Sequence, residues 1–179
     1  MNGIFINLYT PSSVQWTQSG VPVTLTQETE FPASDRVTIH VNPASPSEFS
    51  IQLRIPSWAT QATLSINGKF QTSTLNANTV LPLKRLWRSG DRIDLVLPQA
   101  FRTEAIDELH PGTVALMRGP VEYVGLNQSA HPINKPSSSR PKLRNDLKAV
   151  TQQAFTSADT TFIPLYSVES ETYDTYFET

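Results

Sequence analysis

Cysteine is absent from the 179 residues. That removes disulfides, thiolate nucleophiles and Cys-ligated zinc from the chemistry this chain can supply, and it leaves the compartment open, because a cysteine-free chain survives in either redox state. Charge is scarce: 14 Lys and Arg stand against 16 Asp and Glu, a net charge of −2. No basic field of the kind that holds nucleic acid is present. No apolar run approaches the roughly 20 residues of a membrane span, and the chain does not open on a charged segment, an apolar core and a cleavage site. Histidine is limited to His40, His110 and His131, with no pair at metal-ligand spacing. The seven glycines are scattered and build no phosphate-cradling loop. No Gly-x-Ser-x-Gly turn frames a serine nucleophile. Neither a metal site nor a cofactor site is expected.

What is there is alternation. Hydrophobic residues make up 38% of a chain long enough for one domain, or one with a small appendage. Short runs place apolar side chains two apart: Val37, Ile39 and Val41; Ile51, Leu53 and Ile55; Leu64 and Ile66; Ile93, Leu95 and Leu97, with Arg92 and Asp94 outward. Val23–Thr26, Val80–Leu83, Val114–Met117 and Val121–Val124 continue the pattern. A period of two means one buried face per strand, and spacings near ten residues argue for an antiparallel sandwich. Asn67-Gly68 suits a two-residue type I′ hairpin, and Ser89-Gly90-Asp91 a second tight reversal, with Asp91 bonding backbone N–H groups. Pro56, Pro82 and Pro98 are expected at or near strand ends.

The abrupt opening in a strand, Ile4–Tyr9, predicts a piece of a longer protein. The fold class expected is all-β, an antiparallel jelly-roll-like β-sandwich with a loop and short-helix excursion. The sandwich is expected over residues 1–126. Residues 127–160 are polar and Pro/Ser-rich, and read as a loop or small subdomain. Leu143, Leu147, Val150 and Ala154 fall at helical spacing there, allowing one short helix. Residues 161–179 are expected to supply closing strands of the sandwich. In "LRIPSWATQATLSINGK" a strand ends at Pro56, the chain crosses to the other sheet, and Leu64–Ile66 returns. Trp58 at this corner caps the core or, alternatively, offers a sugar-stacking surface.

The ordered set "NLYTPSSVQW", "TQETEFP", "LRIPSWA…SINGK", "LWRSGDRIDLVLP" and "VALMRGPVEYV" resembles the non-catalytic β-sandwich part of β-L-arabinofuranosidase-type glycoside hydrolases, family 127. The ending "FIPLYSVESETYDTYF" is similar to the closing strands of those proteins, while 127–160 departs from them. The resemblance implies a parent with an (α/α)₆ catalytic barrel carrying a Cys nucleophile, a Cys-rich zinc site and a Glu acid/base, and acting on plant-type arabinose-containing glycans. None of those groups carries over to this cysteine-free chain. The barrel is the partner it implies.

Three functions remain open. The first is an accessory sandwich that packs on the barrel. The second is a carbohydrate-binding module whose exposed aromatic groove would draw on Trp16, Trp58 or Trp87; the same three tryptophans can instead be structural plugs. The third is a self-sufficient glycosidase, for which Glu28 and Glu30, two apart on a strand, share a face at a span suited to a carboxyl pair; a solvated strand face is the plainer reading. Asp107 and Glu108 point in different directions. Lys135, Arg140, Lys142, Arg144 and Lys148 form a mildly basic stretch without interleaved aromatics, which reads as a solvated loop. Neither a nucleic-acid nor a membrane partner is expected.

Overall fold

The computed structural model describes residues 3–71, 75–126, 146–157 and 160–179. The chain divides into two compact units, Met1–Gln99 and Ala100–Thr179. The first contains β1 (Gly3–Ile6), β2 (Ser12–Gln18), β3 (Val21–Thr29), β4 (Arg36–Pro43), β5 (Ser47–Ile55), β6 (Thr63–Ile66), β7 (Lys69–Phe70), β8 (Thr79–Trp87) and β9 (Asp91–Val96). They form a three-stranded sheet in the order β1-β5-β8 and a six-stranded sheet in the order β2-β3-β4-β9-β6-β7. The expected all-β sandwich is what the residues build. One pairing departs from the antiparallel rule: β1 runs parallel to β5, with Ile4 beside Ile51 and Ile6 beside Leu53.

Alternation decides which faces meet. Val37, Ile39, Val41, Ile51, Leu53, Ile55, Leu64, Ile93, Leu95 and Leu97 are all buried, several completely. Each such side chain contributes about 1.5–3 kcal/mol of burial. The corner after β5 works as the sequence predicts: β5 lies in one sheet, β6 in the other, and residues 56–62 connect them. The Asn67-Gly68 hairpin forms with both residues at positive φ, 54° and 76°, and Ile66 faces Lys69 across it. Asn67 Nδ2 donates to Asp91 Oδ1 (2.8 Å), and Arg88 N–H donates to Asp91 Oδ2 (2.8 Å), so the buried Asp91 ties the two turns together.

Pro82 is not at a strand end. It sits inside β8, opposite Gln52. β8 ends its sheet, so one side of the strand needs no ladder donors and the missing N–H is tolerated there.

The second unit is one sheet built from β10 (Phe101–Ala105), β11 (Thr113–Arg118), β12 (Val121–Leu126), β13 (Lys148–Ala149), β14 (Phe155–Ser157), β15 (Thr160–Pro164), β16 (Tyr173–Asp174) and β17 (Phe177–Glu178). Its main path is β10-β11-β12-β15-β14-β13, with β16 on β12 and β17 on β11. Its own core holds Val114, Leu116, Tyr123, Phe162 and Phe177. Strands of 101–126 group with those of 148–178, and the closing strands of 161–179 pair with β11 and β12. Leu147 to Ala154 form no helix. They bend into the β13–β14 pair, because Thr151 Oγ1 accepts the N–H groups of Gln153 and Ala154 and Ala154 O accepts that of Val150. Leu143, the remaining member of that spacing, lies outside the described residues. Among the described residues no helix is long and apolar enough to cross a membrane.

Candidate functional site

The three tryptophans occupy three environments, all in the first unit. Trp87 is fully buried at the end of β8. Its Nε1–H donates to Phe49 O (3.0 Å), its ring lies 6.1 Å from Phe49, and the Arg85 guanidinium sits 5.0 Å over it. Trp16 is half-buried on β2, edge-on to Phe49 at 5.6 Å, with Nε1–H donating to Gln18 Oε1 at 3.3 Å. Trp58 is half-buried at the corner and stacks on Phe31, centroids 6.1 Å apart and planes 15° apart. Phe31 meets Tyr9 edge-on, and the Tyr9 hydroxyl donates to Arg54 O (2.6 Å). Burial pushes the Tyr9 phenol above its ordinary pKa. Each ring therefore has a protein partner, and the three are not gathered on one surface.

The carboxylates do not converge. Glu28 and Glu30 are both exposed. Glu28 Oε2 lies 3.1 Å from His40 Nε2 across the β3–β4 pair, out of line for a hydrogen bond, and Glu30 O accepts backbone N–H groups of a turn. Asp107 accepts from the Leu109 and His110 N–H groups and contacts His110 Nδ1 at 2.8 Å, all exposed. Those bonds, led by the His110 side chain, hold the Asp107 carboxyl below its usual range. Glu108 is exposed. Lys148 lies exposed on β13, while His131, Lys135, Arg140, Lys142 and Arg144 lie outside the described residues. Among the described residues no group of three or more His, Asp or Glu is placed to hold a metal ion.

Two surfaces stand out instead. The outer face of the three-stranded sheet carries Phe5, Val80 and Leu86, each a little under half exposed. Register sets Phe5 beside Gln52 and Pro82, Val80 beside Arg54, and Leu86 beside Glu48. Lys84 Nζ lies 3.2 Å from Glu48 Oε1 on the same face.

The outer face of the six-stranded sheet is polar. A groove of about 340 Å³ runs across β4, β9, β6 and β7, lined by Arg36, Thr38, Thr63, Ser65, Arg92 and Asp94 and bordered by Phe70. Phe70 is 77% exposed. Register aligns Thr38, Asp94, Ser65 and Phe70 in one cross-strand row. Asp94 is oriented by Thr38 Oγ1 (3.1 Å) and by Arg92 Nε and Nη2 (both 2.9 Å). Alternation places Arg92 and Asp94 outward, but nothing in the sequence assigns their neighbours. Phe70, two residues past the hairpin glycine, has no sequence signal of its own.

The family profile described as "Beta-L-arabinofuranosidase, GH127 middle domain" matches residues 3–99, the span of the first compact unit. No curated protein matches the chain. Among solved structures, a GH127 β-L-arabinofuranosidase from Geobacillus stearothermophilus T6 is similar at 24% identity and a TM-score of 0.77, with 99% of this chain and 34% of that one covered. A second, titled only as a glycoside hydrolase, has 20% identity and a TM-score of 0.77, covering 99% and 36%. A third, a GH127 β-arabinofuranosidase, has 18% identity and a TM-score of 0.73, covering 99% and 35%. The chain thus spans about a third of the length of the structures it resembles, and at these identities the likeness is one of fold.

Proposed function

The chain belongs to glycoside hydrolase family 127, through the middle domain of its β-L-arabinofuranosidases, and from that membership we propose that it is a non-catalytic accessory region of such a hydrolase. It packs on an (α/α)₆ catalytic barrel and shapes the rim of that barrel's active site, in a parent protein acting on arabinose-containing glycans. The observation that carries this reading is the outer face of the three-stranded sheet, where Phe5, Val80 and Leu86 stand partly exposed on one surface. Apolar side chains left partly exposed along an open sheet face, here interleaved with polar neighbours, favour a protein partner over water. The absence of cysteine from the sequence supports a division of labour, since this chain cannot supply a thiolate nucleophile.

Two measurements test it. The purified chain should not turn over aryl β-L-arabinofuranosides; measurable hydrolysis overturns the proposal and revives Glu28 and Glu30, whose replacement by Gln would then have to abolish it. A separately produced family 127 barrel should bind the chain, and Phe5→Asp with Leu86→Asp should weaken that binding at least tenfold (about 1.4 kcal/mol). Unchanged binding removes the packing role.

A further inference from the structure

We propose that the groove on the outer face of the six-stranded sheet binds a short, uncharged glycan segment, with Phe70 as the stacking platform and the Arg92–Asp94 pair as the hydroxyl-reading element. A sugar ring is amphipathic. Its C–H face is apolar, and its edge presents neighbouring hydroxyls that both donate and accept. The groove offers the complement to each. Phe70 holds an aromatic ring in water on a two-residue edge strand, 77% exposed. Burying that ring against a C–H face releases water from both surfaces.

Beside it, Asp94 and Arg92 place a carboxylate acceptor and guanidinium donors 2.9 Å apart, a pairing that can serve two adjacent hydroxyls at once. Asp94 is held in place by Thr38 as well as Arg92, so its orientation is set before a ligand arrives. The side chains of Arg36, Thr63 and Ser65 line the same groove and have no hydrogen-bond partner among the described residues, which leaves them free for ligand hydroxyls. The groove's volume, about 340 Å³, lies at the lower end for ligand sites. Four strands at ~4.8 Å spacing put about 14 Å between Thr38 and Phe70, the reach of a short oligosaccharide rather than a monosaccharide. Asp94 offsets the Arg92 charge within the groove, which leaves Arg36 as its one uncompensated charge, and the net charge of −2 disfavours nucleic acid.

The groove follows from this geometry alone; the choice of an arabinose-containing ligand rests on the proposed function. The test is an amide-resolved NMR titration of the whole chain with arabino-oligosaccharides and, separately, galacto-oligosaccharides, to ~10 mM. Shifts should centre on Ser65, Phe70 and Asp94. Phe70→Ala and Asp94→Asn should each weaken binding about tenfold while the rest of the spectrum stays folded, and Leu109→Ala should change nothing. Binding of the galactose series alone keeps the groove and overturns the assigned sugar. No shift with either series, or shifts centred elsewhere, overturns the groove whether or not the chain binds a barrel.

Discussion

Replacing Trp87 by Ala should cost the first unit most of its stability. The indole is fully buried at the end of β8, against Phe49 and beneath the Arg85 guanidinium. Truncating a buried Trp to Ala costs about 3–5 kcal/mol through lost transfer energy and the cavity left behind. The Phe49 carbonyl also loses its indole N–H donor, a further ~1 kcal/mol. The sum, about 4–6 kcal/mol, approaches the whole stability of many domains, roughly 5–15 kcal/mol. Trp87→Phe separates the two contributions: it keeps much of the apolar bulk, removes the N–H, and should cost about 1–3 kcal/mol. Urea unfolding followed by far-UV circular dichroism is the assay, because the substitution removes a fluorophore. With a slope of ~2 kcal/mol per molar, Trp87→Ala should lower the midpoint by at least ~2 M or leave the unit unfolded in buffer. A loss below ~1 kcal/mol would refute the view that this ring is a core element.

Other expectations concern single contacts. A Cβ on Gly3 would lie 1.9 Å from Ser50 O, so Gly3→Ala should detach β1 from β5; hydrogen exchange should lose protection in β1 while β4 and β9 keep theirs, and unchanged exchange would contradict it. In the second unit a Cβ on Gly125 would meet Thr160 Cγ2 at 2.9 Å and Phe177 Cε1 at 3.0 Å; Gly125→Val should cost about 1–3 kcal/mol by overpacking, read by thermal melting. Tyr9→Phe removes the bond to Arg54 O and should cost about 1 kcal/mol, while in the unsubstituted chain the Tyr9 phenol should stay protonated when the exposed tyrosines ionise in an ultraviolet pH titration. Asp107 titrates below its reference value of 3.8 because His110 bonds its ionised form. A depressed carboxyl stabilises the fold above the unfolded value, ~3.9, and that contribution disappears as pH falls through the folded value. Carboxyl NMR should therefore place its midpoint under 3.8, and a midpoint above that rejects the His110 contact.

The strand faces of the first unit were legible in the residues because burial on one side of a sheet writes itself as a period of two. Val37-Thr38-Ile39-His40-Val41 and Ile51 to Ile55 carry that mark, and Asn67-Gly68 carries its turn. β2 was less visible: Ser12 to Thr17 is exposed or half-buried throughout, so little alternation betrays it. The helical spacing of Leu147, Val150 and Ala154 does not become a helix, because Thr151 offers the backbone a local turn that competes with one. Proline excludes a central strand, which points Pro82 to a strand end, but the interior of an edge strand such as β8 admits it equally well.

The sequence alone determined that this chain is a β protein without thiol chemistry and which side chains of most strands face inward, since both follow from residue identity and local spacing. The tertiary structure decided which strands are neighbours: that β1 lies parallel to β5, that β16 and β17 return to β12 and β11, and that Phe70, Ser65, Asp94 and Thr38 share one row. Those pairings join residues far apart in the chain through backbone hydrogen bonds common to all residue types, so a local pattern holds no record of them.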